Sequence, residues 1–393
     1  MTRRSAIALI TCVALLTVLG LIMLMSTGGF SQESAHDEWA GMRRQGIWLG
    51  VGLIGCTVMA RLDYHRLQRW ALPIFGVCVG VLILCFIPGI GHERGGASRW
   101  INIAGFKGQP SEIARVGVLI ALAAWCARYR DRRQSFVWGF ALPLAVMALP
   151  IGLIAAEVDI GTAGLLFIVS AAVLFLAGTR WIYIVAMVAL GAGIMYGVIF
   201  TGKSQTSINR KARITAFLHL EDPQFAREFP DIAALNEQQE HGLYALGSGG
   251  PAGKGLGDGV EKQHYLPLCH TDFIYPVIGE ELGLAATLGT ILLVLGVAFS
   301  GLFIAAHAPD RFGKLLGTGL ILLIVVQALI NIGVTTGCLP NKGMPLPFVS
   351  YGGSNLCCCL LSIGILLNIY RQGRPIILPS DPLLGQPKLT PAM

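Results

Sequence analysis

A carboxylate stands at the start of an apolar run in the stretch Tyr265-Leu-Pro-Leu-Cys-His270-Thr-Asp272-Phe-Ile-Tyr-Pro276-Val-Ile-Gly279-Glu280-Glu281-Leu-Gly283, where a Gly-rich polar segment ends. That position puts Asp272 where water meets lipid. At about 100° per residue, Asp272, Pro276, Gly279 and Gly283 share one face of the helix this run predicts. An acid above a strip of small residues could act on a reacting group while a lipid tail lies in a groove beneath it. A structural alternative uses the same residues: Thr271 or Asp272 caps the helix, and the glycines admit a neighbouring helix.

Other ionisable residues interrupt apolar sequence, where each costs a few kcal/mol unless paired or wet. Glu112 and Arg115 are spaced to pair on one helical face. Glu157 and Asp159 lie between two apolar runs, and Glu280 and Glu281 lie two turns beyond Asp272. They fit either internal salt bridges or a cavity for an anionic, amphiphilic substrate. The polar segment before Asp272 carries Arg210, Arg213 and, within Gly247–Gly259, Lys254. Its many free N–H groups could meet anions, but the spacing is not a Walker loop and no strand flanks it for a Rossmann turn. A mobile hinge is the alternative. The connection Asn331–Ser354 holds three prolines and several glycines, so its backbone must be buried in protein or line a cavity; Ser350 is a candidate cap there, and Tyr351 and Ser354 would face the cavity. Trp100, in the mixed basic and aromatic connection 89–111, reads as an interfacial anchor, and Ser111 as a cap for the span that follows.

The elements that hold these residues follow from composition. The chain has 393 residues, 54% hydrophobic and 13% charged, with mean hydropathy +0.66. This excludes a soluble globular domain and predicts an all-α integral membrane protein. Apolar runs at about 6–26, 46–60, 71–88, 112–127, 136–156, 160–178, 181–201, 272–306, 313–337 and 350–370 predict ten transmembrane helices. The short-loop Lys and Arg gather mainly on one side, which places both termini in the cytoplasm and the loop 202–271 outside; Arg43, Arg44, Arg94, Arg99 and Lys342 run against the trend. Residues 1–375 read as one polytopic membrane domain and 376–393 as a short, disordered Pro-rich tail. The net charge of +7 is scattered, so nucleic acid is not an expected partner. Most of the ten cysteines lie in apolar runs without metal-site spacing and read as packing residues. The first apolar run reads as a retained span rather than a signal peptide.

Taken together, the motifs resemble the SEDS family (shape, elongation, division and sporulation) over about residues 20–371. They are Arg99-Trp100 with Gln109-Pro-Ser-Glu112, Asp159-Ile-Gly-Thr162, Gly247-Ser-Gly-Gly250 with Gly253-Lys-Gly-Leu-Gly257, His270-Thr-Asp-Phe273 with Glu280-Glu-Leu-Gly283, and Pro345-Leu-Pro-Phe-Val-Ser-Tyr-Gly-Gly-Ser354. Ile87-Pro-Gly-Ile-Gly91 and Asn341-Lys-Gly343 look more like the family's division member than its elongation member. The resemblance implies a ten-span peptidoglycan glycosyltransferase of the bacterial cytoplasmic membrane. It would polymerise lipid II outside, partnered by a class B penicillin-binding protein and other divisome or elongasome membrane proteins. It also makes Asp272 the presumed catalytic residue. Departures from the pattern are Arg115 for a usual Lys, Val158 for a usual Pro, and Leu268-Cys269 for a usual Glu-Ala.

On this reading Asp272 is a general base or, as an alternative, ligand to a divalent cation (Mg or Mn). Trp100, Lys254, Arg210, Arg213, Asp159, Glu157, Ser350 and Tyr351 are expected to contact substrate. Glu112, Arg115, His270, Glu280 and Glu281 are expected to shape the cavity. A lipid II flippase and a non-enzymatic scaffold for the transpeptidase are the rival functions.

Overall fold

The computed structural model describes residues 2–28, 39–87, 91–94, 97–103, 106–201, 205–220, 223–263, 265–373, 376–377 and 389–390. Its helices, in chain order, are α1 (Thr2–Thr27), α2 (Ala40–Arg61), α3 (His65–Arg69), α4 (Ala71–Leu84), α5 (Pro110–Arg128), α6 (Leu142–Ala156), α7 (Ile160–Leu176), α8 (Trp181–Tyr196), α9 (Gln205–Leu218), α10 (Pro223–Glu228), α11 (Pro230–Ala233), α12 (Glu237–Ser248), α13 (Ile274–Ala306), α14 (Arg311–Thr335) and α15 (Gly353–Gln372). Among the described residues seven helices are long and apolar enough to cross a membrane, while α4 and α7 are apolar but shorter. Helix α2 opens with Arg43, Arg44 and Gln45 in its first turns.

The chain is not wholly helical. Residues within the connection 89–111 form a small antiparallel sheet ordered β1 (Gly91–Arg94), β2 (Ala97–Ile103), β3 (Phe106–Gly108). Trp100 pairs with His92 across it, beside a bulge at His92/Glu93. In the tail, expected to be disordered, β4 (Ile376–Ile377) pairs with β5 (Leu389–Thr390).

Burial sorts the helices. Helices α5, α14 and α15 are mostly enclosed, whereas α8 is almost wholly exposed. Leu72, Trp181, Leu292 and Phe299 are among the large apolar side chains left open. An apolar skin of this extent needs lipid around it. Small residues set the closest approaches: a Cβ at Gly364 of α15 would strike the backbone of Cys56 in α2, and one at Gly117 of α5 would strike Cys78 of α4. Buried polar side chains tie the helix ends remote from Asp272. Asn368 donates to the carbonyls of Met59, Ala60 and Leu62, and the Tyr64 hydroxyl donates to Asp310.

Candidate active site

Three turns build the site. The first, residues 268–273, closes on the Leu268 carbonyl, which accepts the Thr271 N–H at 3.0 Å and the Phe273 N–H at 3.3 Å. The second, 344–351, is sewn to it. The Ser350 hydroxyl donates to the Thr271 carbonyl at 2.5 Å while accepting the Leu346 N–H at 2.7 Å, and the Tyr351 N–H donates to the His270 carbonyl at 3.0 Å. Buried Asn331, one turn from the end of α14, uses its two amide hydrogens on the carbonyls of Asp272 (2.7 Å) and Met344 (2.6 Å). Ser350 therefore joins the two turns and does not cap α15, whose cap is Gly352. Likewise Gln109, not Ser111, caps α5.

Asp272 is half-buried. The N-cap of helix α13 is Phe273, so neither Thr271 nor Asp272 holds the cap position. The Asp272 Oδ2 faces Gly343 so closely that a Cβ there would collide with it. The next residue back, Lys342, points its Nζ at Asp159 Oδ1, 3.3 Å away, and its stem crosses Gly161 where only a glycine leaves room. Asp159 belongs to the third turn, 157–160. It caps α7 through the Thr162 N–H and accepts Gln109 Nε2 at 3.0 Å. Glu157 is buried beside it. A polar seam continues inward: Arg115 Nη2 lies 3.9 Å from Glu112 Oε1, Arg115 Nη1 donates to Gln327 Oε1 at 2.8 Å, and Gln327 Nε2 donates to the Pro345 carbonyl and Asn355 Oδ1.

The backbone of all three turns is strained. Among the described residues the non-glycine positions with positive φ are Val158 (65°), Leu268 (57°) and Phe348 (66°), one in each turn. Each such conformation costs of order 1–3 kcal/mol and gathers where a structure must aim side chains.

The strip Pro276, Gly279, Gly283 is not an open groove. A Cβ at Gly279 would strike Leu246 of α12, one at Gly249 would strike the Gly279 carbonyl, and Gly283 packs on Gly253. At Gly283 the helix breaks (φ 75°, ψ −172°). The polar loop then satisfies the freed backbone: the N–H groups of Lys254 and Gly255 donate to the carbonyls of Glu280 and Glu281, and the Leu284 N–H donates to the Gly250 carbonyl. Glu280 and Glu281 are buried and hold the same loop. Lys254 Nζ lies 2.7 Å from Glu280 Oε1, and buried Lys262 Nζ lies 2.6 Å from Glu281 Oε1, with Ser26 of α1 joining that pair. Lys254, expected at the substrate, is thus committed to Glu280.

Of the other expected contacts, Trp100 is half-buried on β2, and Arg213 stands exposed on α9. The Arg210 side chain lies outside the described residues. His270 sets its ring 5.9 Å from that of Tyr351. Sequence reasoning missed Lys342, Asn331, Gln327, Gln109 and Lys262. Lys342 had signals, a lone cation in a Pro- and Gly-rich apolar connection and a place in the Asn341-Lys-Gly343 motif, but neither pointed to a role beside Asp272. Among the described residues no three His, Cys, Asp or Glu side chains gather to hold a metal ion.

Comparison with known proteins adds three findings. The family model described as "Cell cycle protein" and built on FtsW, RodA and SpoVE matches residues 6–374. Named "Probable peptidoglycan glycosyltransferase FtsW", a protein of Geobacter metallireducens is 37% identical, covering 93% of this chain and 94% of its own; "Stage V sporulation protein E" of Bacillus subtilis is 32% identical over 93% and 97%. Among solved structures, a chain of a peptidoglycan synthase complex that coordinates polymerization and crosslinking superposes with TM-score 0.76 at 25% identity, covering 93% of this chain and 97% of that one. Thermus thermophilus RodA, rod shape determining protein, superposes with TM-score 0.65 at 25% identity, covering 93% and 96%.

Proposed function

Because this chain belongs to the FtsW/RodA/SpoVE family of cell cycle proteins, we propose that it is a peptidoglycan glycosyltransferase. In this reading it polymerises lipid II at the outer face of the bacterial cytoplasmic membrane, with Asp272 as general base. The observation that carries the assignment of the site is the linking of three strained turns at Asp272: 268–273, which holds it, 344–351, which is sewn to that turn, and 157–160, reached through Lys342. A sugar hydroxyl of one chain attacks the anomeric carbon of another. As the new C–O bond forms, the bond to the lipid-linked pyrophosphate breaks, Asp272 takes the hydroxyl proton, and the pyrophosphate leaves with the electron pair. A positioned base of this kind contributes roughly 10²- to 10⁴-fold. Lys342, adjacent to the glycine that Asp272 faces, is the cation that meets the departing charge.

A divalent ion enters this proposal only with the substrate. The described residues make no resident cage, but Mg²⁺ keeps most of its waters and takes one or two carboxylates besides phosphate oxygens, a role Asp272 could share with the pyrophosphate. Polymerisation after chelation, and after Mg²⁺ or Mn²⁺ is restored, reads whether the ion is required.

Helices α1, α2, α4 to α8 and α13 to α15 are read as ten crossings, with both ends inside and residues 202–271 outside. The exposed apolar side chains along α4, α8 and α13 support this, as does the match over nearly the whole chain. A class B penicillin-binding protein is the proposed partner, supported by the solved relative that belongs to a polymerising and crosslinking complex. Reconstitution in liposomes separates a polymerase from a flippase: purified protein should convert lipid II into longer glycans. Movement of labelled lipid II between leaflets without glycan would overturn the reading.

A further inference from the structure

Helix α14 carries two buried amides one turn apart, Gln327 and Asn331, and both reach the backbone of the turn 344–351. Gln327 donates to the Pro345 carbonyl, and Asn331 donates to its neighbour, the Met344 carbonyl. The second hydrogen of Asn331 goes to the carbonyl of Asp272 itself. Both amide hydrogens are then in use. Turned the other way, the amide would set an oxygen against two carbonyl oxygens, so only one orientation serves.

These two carbonyls bracket the carboxylate. Met344 follows Gly343, the glycine that Asp272 Oδ2 faces, and Gly343 follows Lys342. One planar amide therefore sets the backbone that carries the acid against the backbone that carries the cation. Its root is firm: Asn331 is 1% exposed on a mostly enclosed helix, and its own carbonyl accepts the Thr335 hydroxyl at 2.9 Å.

We propose that Asn331 is a positioning residue for the proton transfer: it holds the Asp272 carboxylate where the attacking hydroxyl gives up its proton, and touches no substrate itself. The proposal rests on the reading of Asp272 as general base. Misplacing a reacting group by about 1 Å costs roughly 10²-fold, which sets the scale of the effect. A second amide separates position from stability. Buried Gln239 of α12 is used in the same way, on the carbonyls of Val334 (2.7 Å) and Leu339 (2.9 Å), neither of which belongs to the three turns. The Leu339 N–H also donates to the Gly333 carbonyl at 2.9 Å, a hold that remains when Gln239 is replaced.

The test measures initial rates of glycan formation against lipid II concentration, with the full-length protein folded in detergent. Asn331→Leu should lower kcat roughly 10- to 100-fold and leave KM within about twofold. Gln239→Leu should lower the unfolding temperature by a similar amount yet keep kcat within about twofold. Asn331→Gln, which keeps both donors on a stem one methylene longer, covers the case of a Leu variant that folds poorly; its kcat should fall at least about fivefold at an unfolding temperature near that of wild type. In the Asp272→Asn background, Asn331→Leu should slow the remaining rate by less than about threefold, because the carboxylate it positions is gone. Unchanged kcat in either Asn331 variant, equal losses of kcat in Asn331→Leu and Gln239→Leu, or a full further drop in the Asp272→Asn background would overturn the proposal. Glycan made at wild-type rate by Asp272→Asn alone would overturn the base assignment, and the proposal with it.

Discussion

Lys342 meets two demands at once: it balances buried Asp159 at 3.3 Å and adjoins the glycine on which Asp272 rests. Replacing it by Met removes a cation from the leaving group's path and strands the Asp159 carboxylate, so glycan synthesis from purified lipid II should fall at least about tenfold, with Lys342→Arg recovering part of it. Full activity of the Met variant would remove Lys342 from the site. At this scale the sequence shows residue types but not their partners. Asp272 stands out because an acid before an apolar run is expensive, and Glu112 with Arg115 because their spacing lets them pair. Lys254 and Lys342 look alike as lone cations in Gly-rich connections. Which of them meets buried Glu280 of α13, and which meets Asp159 beside the glycine that Asp272 faces, depends on contacts between residues far apart in the chain.

Among the elements, α13 depends on its interruption. Gly283 adopts φ 75° and ψ −172°, a combination almost confined to glycine, and Gly253 packs directly on it. Gly283→Ala should therefore destabilise the protein by about 1–3 kcal/mol, seen as a lower unfolding temperature in detergent. Gly289→Ala, in the same helix with open space around its Cα, should be neutral or stabilising by up to about 1 kcal/mol. Equal effects would mean the break is not needed. The helical runs themselves are legible, since the apolar stretches and the helices coincide within a few residues. A strip of small residues beside an acid is not: it fits a groove for a lipid tail or a seat for protein, and here the protein's own α12 and Gly-rich loop take the seat. The small sheet at 91–108 was also hidden, because its strands are short and carry glycines and charges in place of an alternating apolar pattern.

Across the whole molecule, the apolar skin and the polar turns must meet water on the correct sides. Cys338 is the one exposed cysteine of the ten, and in the proposed orientation it faces outward; Cys269 is buried, which pushes its thiol up to about 11 and keeps it protonated at neutral pH. A membrane-impermeant maleimide added to intact spheroplasts should label Cys338 and spare Cys269. Labelling of Cys338 only after the membrane is opened would invert the topology. The central claim, that Asp272 draws the proton from an attacking sugar hydroxyl, is tested most directly by the Asp272→Asn protein, folded and supplied with purified lipid II. The account predicts a fall in glycan formation of roughly 10²- to 10⁴-fold with lipid II still bound; glycan chains made at near wild-type rate would contradict it.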